Sequence, residues 1–139
     1  MSLGRLNHIG VATPSIERSV ETYRTLLGAD AIGEPFDLPA QGVRVCFVDA
    51  PNTQVELIQP LDEKSPIAGF LAKNPAGGQH HLCFEVPDIH AAVAELKKRG
   101  ATVLGTPRIG AHGTPIVFVH PRDFGGVLVE LMETPKGDH

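Results

Sequence analysis

The sequence predicts an α+β fold in which a βαβββ module is written twice, over residues 5–60 and 79–133, joined by a short helix and loop at 61–78. Three observations carry this reading. The stretch Gln79-His80-His81-Leu82-Cys83-Phe84-Glu85-Val86-Pro87-Asp88-Ile89 has a weaker copy in His8-Ile9-Gly10-Val11-Ala12-Thr13-Pro14-Ser15-Ile16. Both read as a strand that runs through a proline into a helix, and alternation puts Leu82, Phe84 and Val86 on one face and His81, Cys83 and Glu85 on the other. The closing strands match as well, Val55-Glu56-Leu57-Ile58 against Val129-Glu130-Leu131-Met132. A module of this size buries little core alone, which favours one domain over residues 1–139 built from both.

In order, residues 6–12 are a strand and Ser15 is a good N-cap. Ile16, Val20, Tyr23 and Leu27 then recur at helical spacing until Gly28 supplies a stop. A short strand is expected at 29–34, a turn region around Pro35 and Pro39, and strands at 42–48 and 54–58. Ser65-Pro66-Ile67-Ala68 opens a short helix, with proline in its first turn. After the loop at 74–78 the pattern restarts. Asp88 caps a helix carrying Ile89, Ala92, Val93 and Leu96, its last turn is basic (Lys97, Lys98, Arg99), and Gly100 ends it. Strands are expected at 102–104, 115–120 and 127–132, with a Gly/Pro-rich loop after the first and a polar, frayed tail from Thr134 to His139.

Composition excludes several classes of function. The formal net charge is −4 and no run of basic residues supplies a local footprint, so nucleic acid is not an expected partner. No apolar run is long enough to span a membrane, and no signal pattern opens the chain. Cys46 and Cys83 lie in apolar strand-like runs and read as buried free thiols, which fits a cytoplasmic setting.

The repeat points to a site. Aligning Pro14 with Pro87 sets His8 against His81, each six residues before its proline. The histidine-to-glutamate spacing is 48 residues in the first module (His8, Glu56) and 49 in the second (His81, Glu130). Two imidazoles and two carboxylates are a suitable ligand set for zinc, cobalt, nickel or manganese. Any one such histidine is more often a structural residue, and a lone glutamate between apolar neighbours is usually the wet side of a strand. Four in register are harder to assign to chance. Of the other histidines, His80 falls on the apolar face, His90 and His139 are expected to be exposed, and His112 lies in a glycine-rich loop. His120, before Pro121, is open to either a structural or a binding role.

With these residues in view, the chain resembles the vicinal-oxygen-chelate (glyoxalase) superfamily and, within it, the methylmalonyl-CoA epimerases. The segments that carry the resemblance are Leu6-Asn7-His8-Ile9-Gly10-Val11-Ala12, Gln41-Gly42-Val43, Val55-Glu56-Leu57-Ile58-Gln59-Pro60, Ser65-Pro66-Ile67-Ala68-Gly69-Phe70-Leu71, His80-His81-Leu82-Cys83-Phe84-Glu85-Val86, and Phe118-Val119-His120-Pro121 leading into Gly126-Val127-Leu128-Val129-Glu130-Leu131. The resemblance implies a cupped mixed sheet around one divalent metal, with cobalt first and zinc, nickel or manganese as alternatives. It further implies a homodimer and interconversion of (R)- and (S)-methylmalonyl-CoA through an enolate, with Glu56 and Glu130 as acid/base candidates. Some relatives carry a carboxylate in the strand after Gln-Gly, where this chain has Val43, Arg44 and Val45. Arg44, Arg108 and Arg122 are candidate contacts for the CoA phosphates. The alternatives are a glyoxalase I-like isomerase and a metal-free small-molecule-binding protein of the same fold.

Overall fold

Each strand-to-helix turn is built by a polar cap where the sequence places one. The computed structural model describes residues 2–136, so His139 and the last of the polar tail lie outside the described residues. Strand β1 (Leu6–Ala12) leads to helix α1 (Ile16–Leu27), and Ser15, in extended conformation, accepts a hydrogen bond from the Arg18 N–H. Strand β5 (Gly78–Val86) leads in the same way to α3 (Ile89–Lys98), where Asp88 accepts from the N–H groups of His90 and Ala91. Gly28 stops α1 in the left-handed region (φ 65°), a conformation that is costly for a residue with a Cβ.

The remaining strands are β2 (Phe36–Leu38), β3 (Val43–Asp49), β4 (Gln54–Pro60), β6 (Val103–Ile109), β7 (Pro115–Val119) and β8 (Val129–Glu133), and α2 (Ala68–Lys73) precedes β5. The chain divides into two compact units, His8–His80 and a second formed by the residues before and after it. In the first unit the strand order is β2-β3-β4-β1, with β1 parallel to β4 and the others antiparallel. In the second it is β5-β8-β7-β6, with β5 parallel to β8. The class is α+β with mixed strand pairing, as predicted.

The core of the first unit joins Ile16 and Val20 of α1 to Cys46, Val48 and Leu57. The second packs Ile89, Ala92 and Leu96 of α3 on Val86, Val117, Val119, Val129 and Leu131, with Phe84 against them. Ile89 is fully buried, a contribution of about 1.5–3 kcal/mol for a side chain of that size. A smaller cluster of Cys83, Ile116 and Met132, with Phe118, lines the other face of the same strands. Both cysteines are buried free thiols. Burial, reinforced by Glu34, raises the pKa of Cys46, and its Sγ donates to the Gly33 carbonyl at 3.3 Å.

Three expected elements are redrawn. Residues 29–34 form no strand beyond a single bridge between Ile32 and Val48, whereas the expected turn region contains β2. The loop expected after residue 104 is instead the continuation of β6 to Ile109. Proline is tolerated there because β6 ends the strand order, so among the described residues no strand pairs its outer side. Val127 lies before β8 and is 40% exposed, because Gly125 and Gly126 turn the chain at positive φ and delay the strand.

Each unit also ties the end of its last parallel strand to the start of its helix. Gln59 Oε1 accepts from the Ile16 N–H at 2.8 Å, and Glu133 Oε1 accepts from the Ile89 N–H at 3.1 Å. These residues are repeat equivalents, each three past its module's candidate glutamate. Replacing Glu133 by alanine leaves a helix N–H without its acceptor and should cost about 1 kcal/mol. Urea unfolding of Glu133→Ala beside the exposed-site Glu63→Ala checks this, since the second change should lie within about 0.5 kcal/mol of the parent.

Candidate functional site

Within each unit the predicted histidine meets its predicted glutamate. In the first, β1 and β4 run parallel with Gly10 paired to Glu56, which sets His8 one same-face step behind the carboxylate. The Nε2 of His8 lies 3.4 Å from an Oε of Glu56. In the second, β5 and β8 run parallel with Cys83 paired to Glu130, and His81 stands one step behind in the same way. Here Nε2 to Oε is 2.9 Å. Parallel strands sit close to 4.8 Å apart, so a histidine and a glutamate offset by one such step can bring their polar ends together. Gly10 and Cys83, the residues level with the glutamates, add little bulk.

All four side chains are removed from water, with relative exposures of 1% for His8, 7% for Glu56, 5% for His81 and 6% for Glu130. Buried carboxylates are costly unless they are paired or coordinate a metal. That cost is borne twice, at equivalent positions. The donor chemistry, one imidazole nitrogen and one carboxylate in each unit, fits a borderline divalent ion.

The flanking residues differ in kind. The His81 imidazole meets the Phe118 ring edge-to-face, with centroids 5.4 Å apart and planes at 89°. Its neighbour His80 makes the same contact with Phe70, at 5.3 Å and 85°. Adjacent residues of a strand point to opposite faces, so each of the paired histidines has its own aromatic partner. Glu85, on the face of His81 and Cys83, accepts from the Asn7 amide at 2.8 Å and lies 3.4 Å from the Arg5 guanidinium. Gly4 donates to the Glu85 carbonyl, and a Cβ at Gly4 would stand 2.6 Å from that oxygen. No periodicity marks these contacts in the sequence.

The remaining candidates are placed as follows. His120 Nδ1 accepts from the Arg122 N–H, capping the short 3₁₀ turn at Pro121–Phe124. His90 is exposed and His112 half-buried. Arg44, in β3, lies 3.5 Å from Asp37. A cavity of about 380 Å³ opens beside α1, lined by Thr13, Ser15, Arg18, Ser19 and Tyr23 among others. It contains none of the four predicted ligands, and two of its hydroxyls, Thr13 and Ser19, bond each other at 2.7 Å. Among the described residues no helix is long and apolar enough to cross a membrane.

Known proteins resemble the chain over most of its length. Residues 7–118 match the model of the Glyoxalase/Bleomycin resistance protein/Dioxygenase superfamily. An ethylmalonyl-CoA/methylmalonyl-CoA epimerase of Cereibacter sphaeroides is 57% identical over 131 residues, which is 93% of this chain and 97% of the relative. The crystal structure of methylmalonyl-CoA epimerase from Mycobacterium tuberculosis superposes with a TM-score of 0.85 at 35% identity, covering 95% of this chain and 89% of that one. A methylmalonyl-CoA epimerase solved in complex with methylmalonyl-CoA and NH4+ superposes with a TM-score of 0.87 at 34% identity, covering 97% of both chains. By the family model and by identity over nearly its whole length, the chain belongs to the glyoxalase superfamily and, within it, to the methylmalonyl-CoA epimerase family.

Proposed function

We propose that the protein is a metal-dependent epimerase that interconverts (R)- and (S)-methylmalonyl-CoA, with His8, Glu56, His81 and Glu130 together holding one divalent ion. The observation that carries the ligand set is the repetition, in both units, of a buried histidine–glutamate pair at the same strand register. Family membership favours the epimerase over the glyoxalase I-like and metal-free alternatives. Cobalt is the first choice of ion, ahead of zinc, nickel and manganese.

When bound by these residues, a divalent ion would supply Lewis-acid stabilisation for the negative charge that grows on the thioester oxygen as C2 loses its proton. The chain supplies the proton transfers. One of Glu56 and Glu130 takes the C2 proton from one face of the substrate, and the other delivers a proton to the opposite face of the planar intermediate. Glu56 and Glu130 are themselves only 7% and 6% exposed, which limits water at the carboxylates. His8 and His81 orient the carboxylates through the contacts already described.

The deciding experiment is an epimerase assay on chelator-treated protein with single metals restored. Interconversion of methylmalonyl-CoA should return, best with cobalt. Faster turnover of a glutathione hemithioacetal than of methylmalonyl-CoA would overturn the reading in favour of the glyoxalase.

The assembly we infer is a homodimer in the cytoplasm. Edge strand β6 exposes Leu104 (37%) and Ile109 (60%), an apolar edge that a second copy would protect, and the two buried free thiols suit a reducing compartment. Sedimentation at micromolar concentration should give a dimer, and a monomer would count against it.

A further inference from the structure

The second unit holds a cation on its ligand face that the proposed chemistry has not used. Cys83 is paired with Glu130, Glu130 with Phe118, Met132 with Ile116, and Ile116 with Arg108. Directly paired residues share a face of the sheet, so Arg108 stands on the face of Phe118, Glu130 and His81. The strand β6 reaches this arrangement through an irregularity. Its register with β7 shifts between Leu104 and Arg108, across Gly105 at φ 78°. Bulges of this kind bend a strand and re-aim a side chain, and they are over-represented next to active sites.

The re-aimed side chain lies on an aromatic ring. The Arg108 guanidinium carbon is 5.5 Å from the centroid of Phe118, whose ring in turn meets His81. The ring offers no oxygen or nitrogen acceptor to this cation, so the guanidinium N–H donors remain for a ligand. Arg108 is exposed, and among the described residues no carboxylate lies within ion-pair distance of it. The other two arginines considered for CoA recognition are engaged: Arg44 with Asp37, and Arg122 with the Thr102 hydroxyl at 2.6 Å.

We propose that Arg108, pre-oriented by Phe118, is the residue that binds an anionic group of the acyl-CoA substrate, donating its N–H groups to a carboxylate or phosphate oxygen. The inference rests on the epimerase reading and names the substrate contact within it. Two sources of that chemistry exist on one molecule, the malonyl carboxylate and the phosphates of CoA.

The test replaces Arg108 by methionine, which keeps an apolar stem on Phe118, and by lysine, which keeps the charge without the fork. Loss of one charge-assisted contact should raise KM by about ten- to a hundredfold with kcat nearly unchanged. Arg108→Lys should recover part of that loss. An increase with both methylmalonyl-CoA and methylmalonyl-pantetheine, which lacks the phosphates, supports the carboxylate as the partner. An increase confined to the CoA ester supports a phosphate. Calorimetric binding of methylmalonyl-CoA separates this inference from the activity. A wild-type protein that binds the ester without epimerising it sinks the activity reading alone, while an equal Kd in wild type and Arg108→Met overturns the role of the arginine. A fall in kcat and in Tm at unchanged KM would also overturn it, since that is what a merely structural residue gives.

Discussion

Replacing His81 by alanine is expected to leave a folded protein that has lost its metal and its epimerase activity. The fold should survive because the apolar face of β5 is untouched, with Val86 and Phe84 still packed on α3 through Ile89 and Leu96. The local cost is the orphaned Glu130 carboxylate, which loses the imidazole 2.9 Å away, and leaving a buried polar group unmatched costs about 1–3 kcal/mol. Removing even an outer-shell partner of a metal ligand costs ten- to a hundredfold, so deleting a ligand should lower metal affinity by more than about a hundredfold. Activity should fall by about a thousandfold or more, the scale of losing the main stabiliser of a developing oxyanion. Metal content by elemental analysis, circular dichroism and the epimerase assay on one preparation check all three expectations. The His80→Ala protein is the counterpart, since His80 packs edge-to-face on Phe70 and is given no role as a ligand. Metal kept by His81→Ala, or lost by His80→Ala, would show that the two histidines have been assigned the wrong way round.

Changing either glutamate to glutamine should separate ligation from proton transfer. The amide retains an oxygen that can face the ion but cannot take a proton at neutral pH. With two bases, the proton taken from C2 and the proton returned lie on different groups, so the wild-type enzyme should introduce solvent deuterium at C2 during turnover. Glu56→Gln and Glu130→Gln should each keep metal and lose epimerisation by about a hundred- to ten-thousandfold. Each should still exchange the C2 proton of one epimer, and opposite ones, because each retains the base for one face. Proton NMR in D2O on the separate epimers reads this directly. Near-normal epimerisation by Glu56→Gln with metal present would make Glu56 a ligand only and move the second base to another group in the pocket.

What could be read from the chain was local or periodic. Strand alternation with period two placed His81, Cys83 and Glu85 together, and the proline register set His8 against His81 before any pairing was known. Ser15 and Asp88 are legible as caps because a cap bonds only two or three residues ahead. The two histidine–glutamate pairs followed because parallel pairing of a module's first and last strands carries a one-step offset to the same contact twice. Gln59 and Glu133 could not be read as caps, since the N–H groups they bind are 43 and 44 residues away. Phe118 against His81, Arg108 over Phe118, and Asn7 on Glu85 belong to the same kind. Such contacts depend on which strand edges meet and where a bulge shifts the register, and those are settled only when whole strands pack. Residues 105–109 make the point, because a segment rich in glycine and proline reads as a loop until an edge position in the sheet lets it pair as a strand.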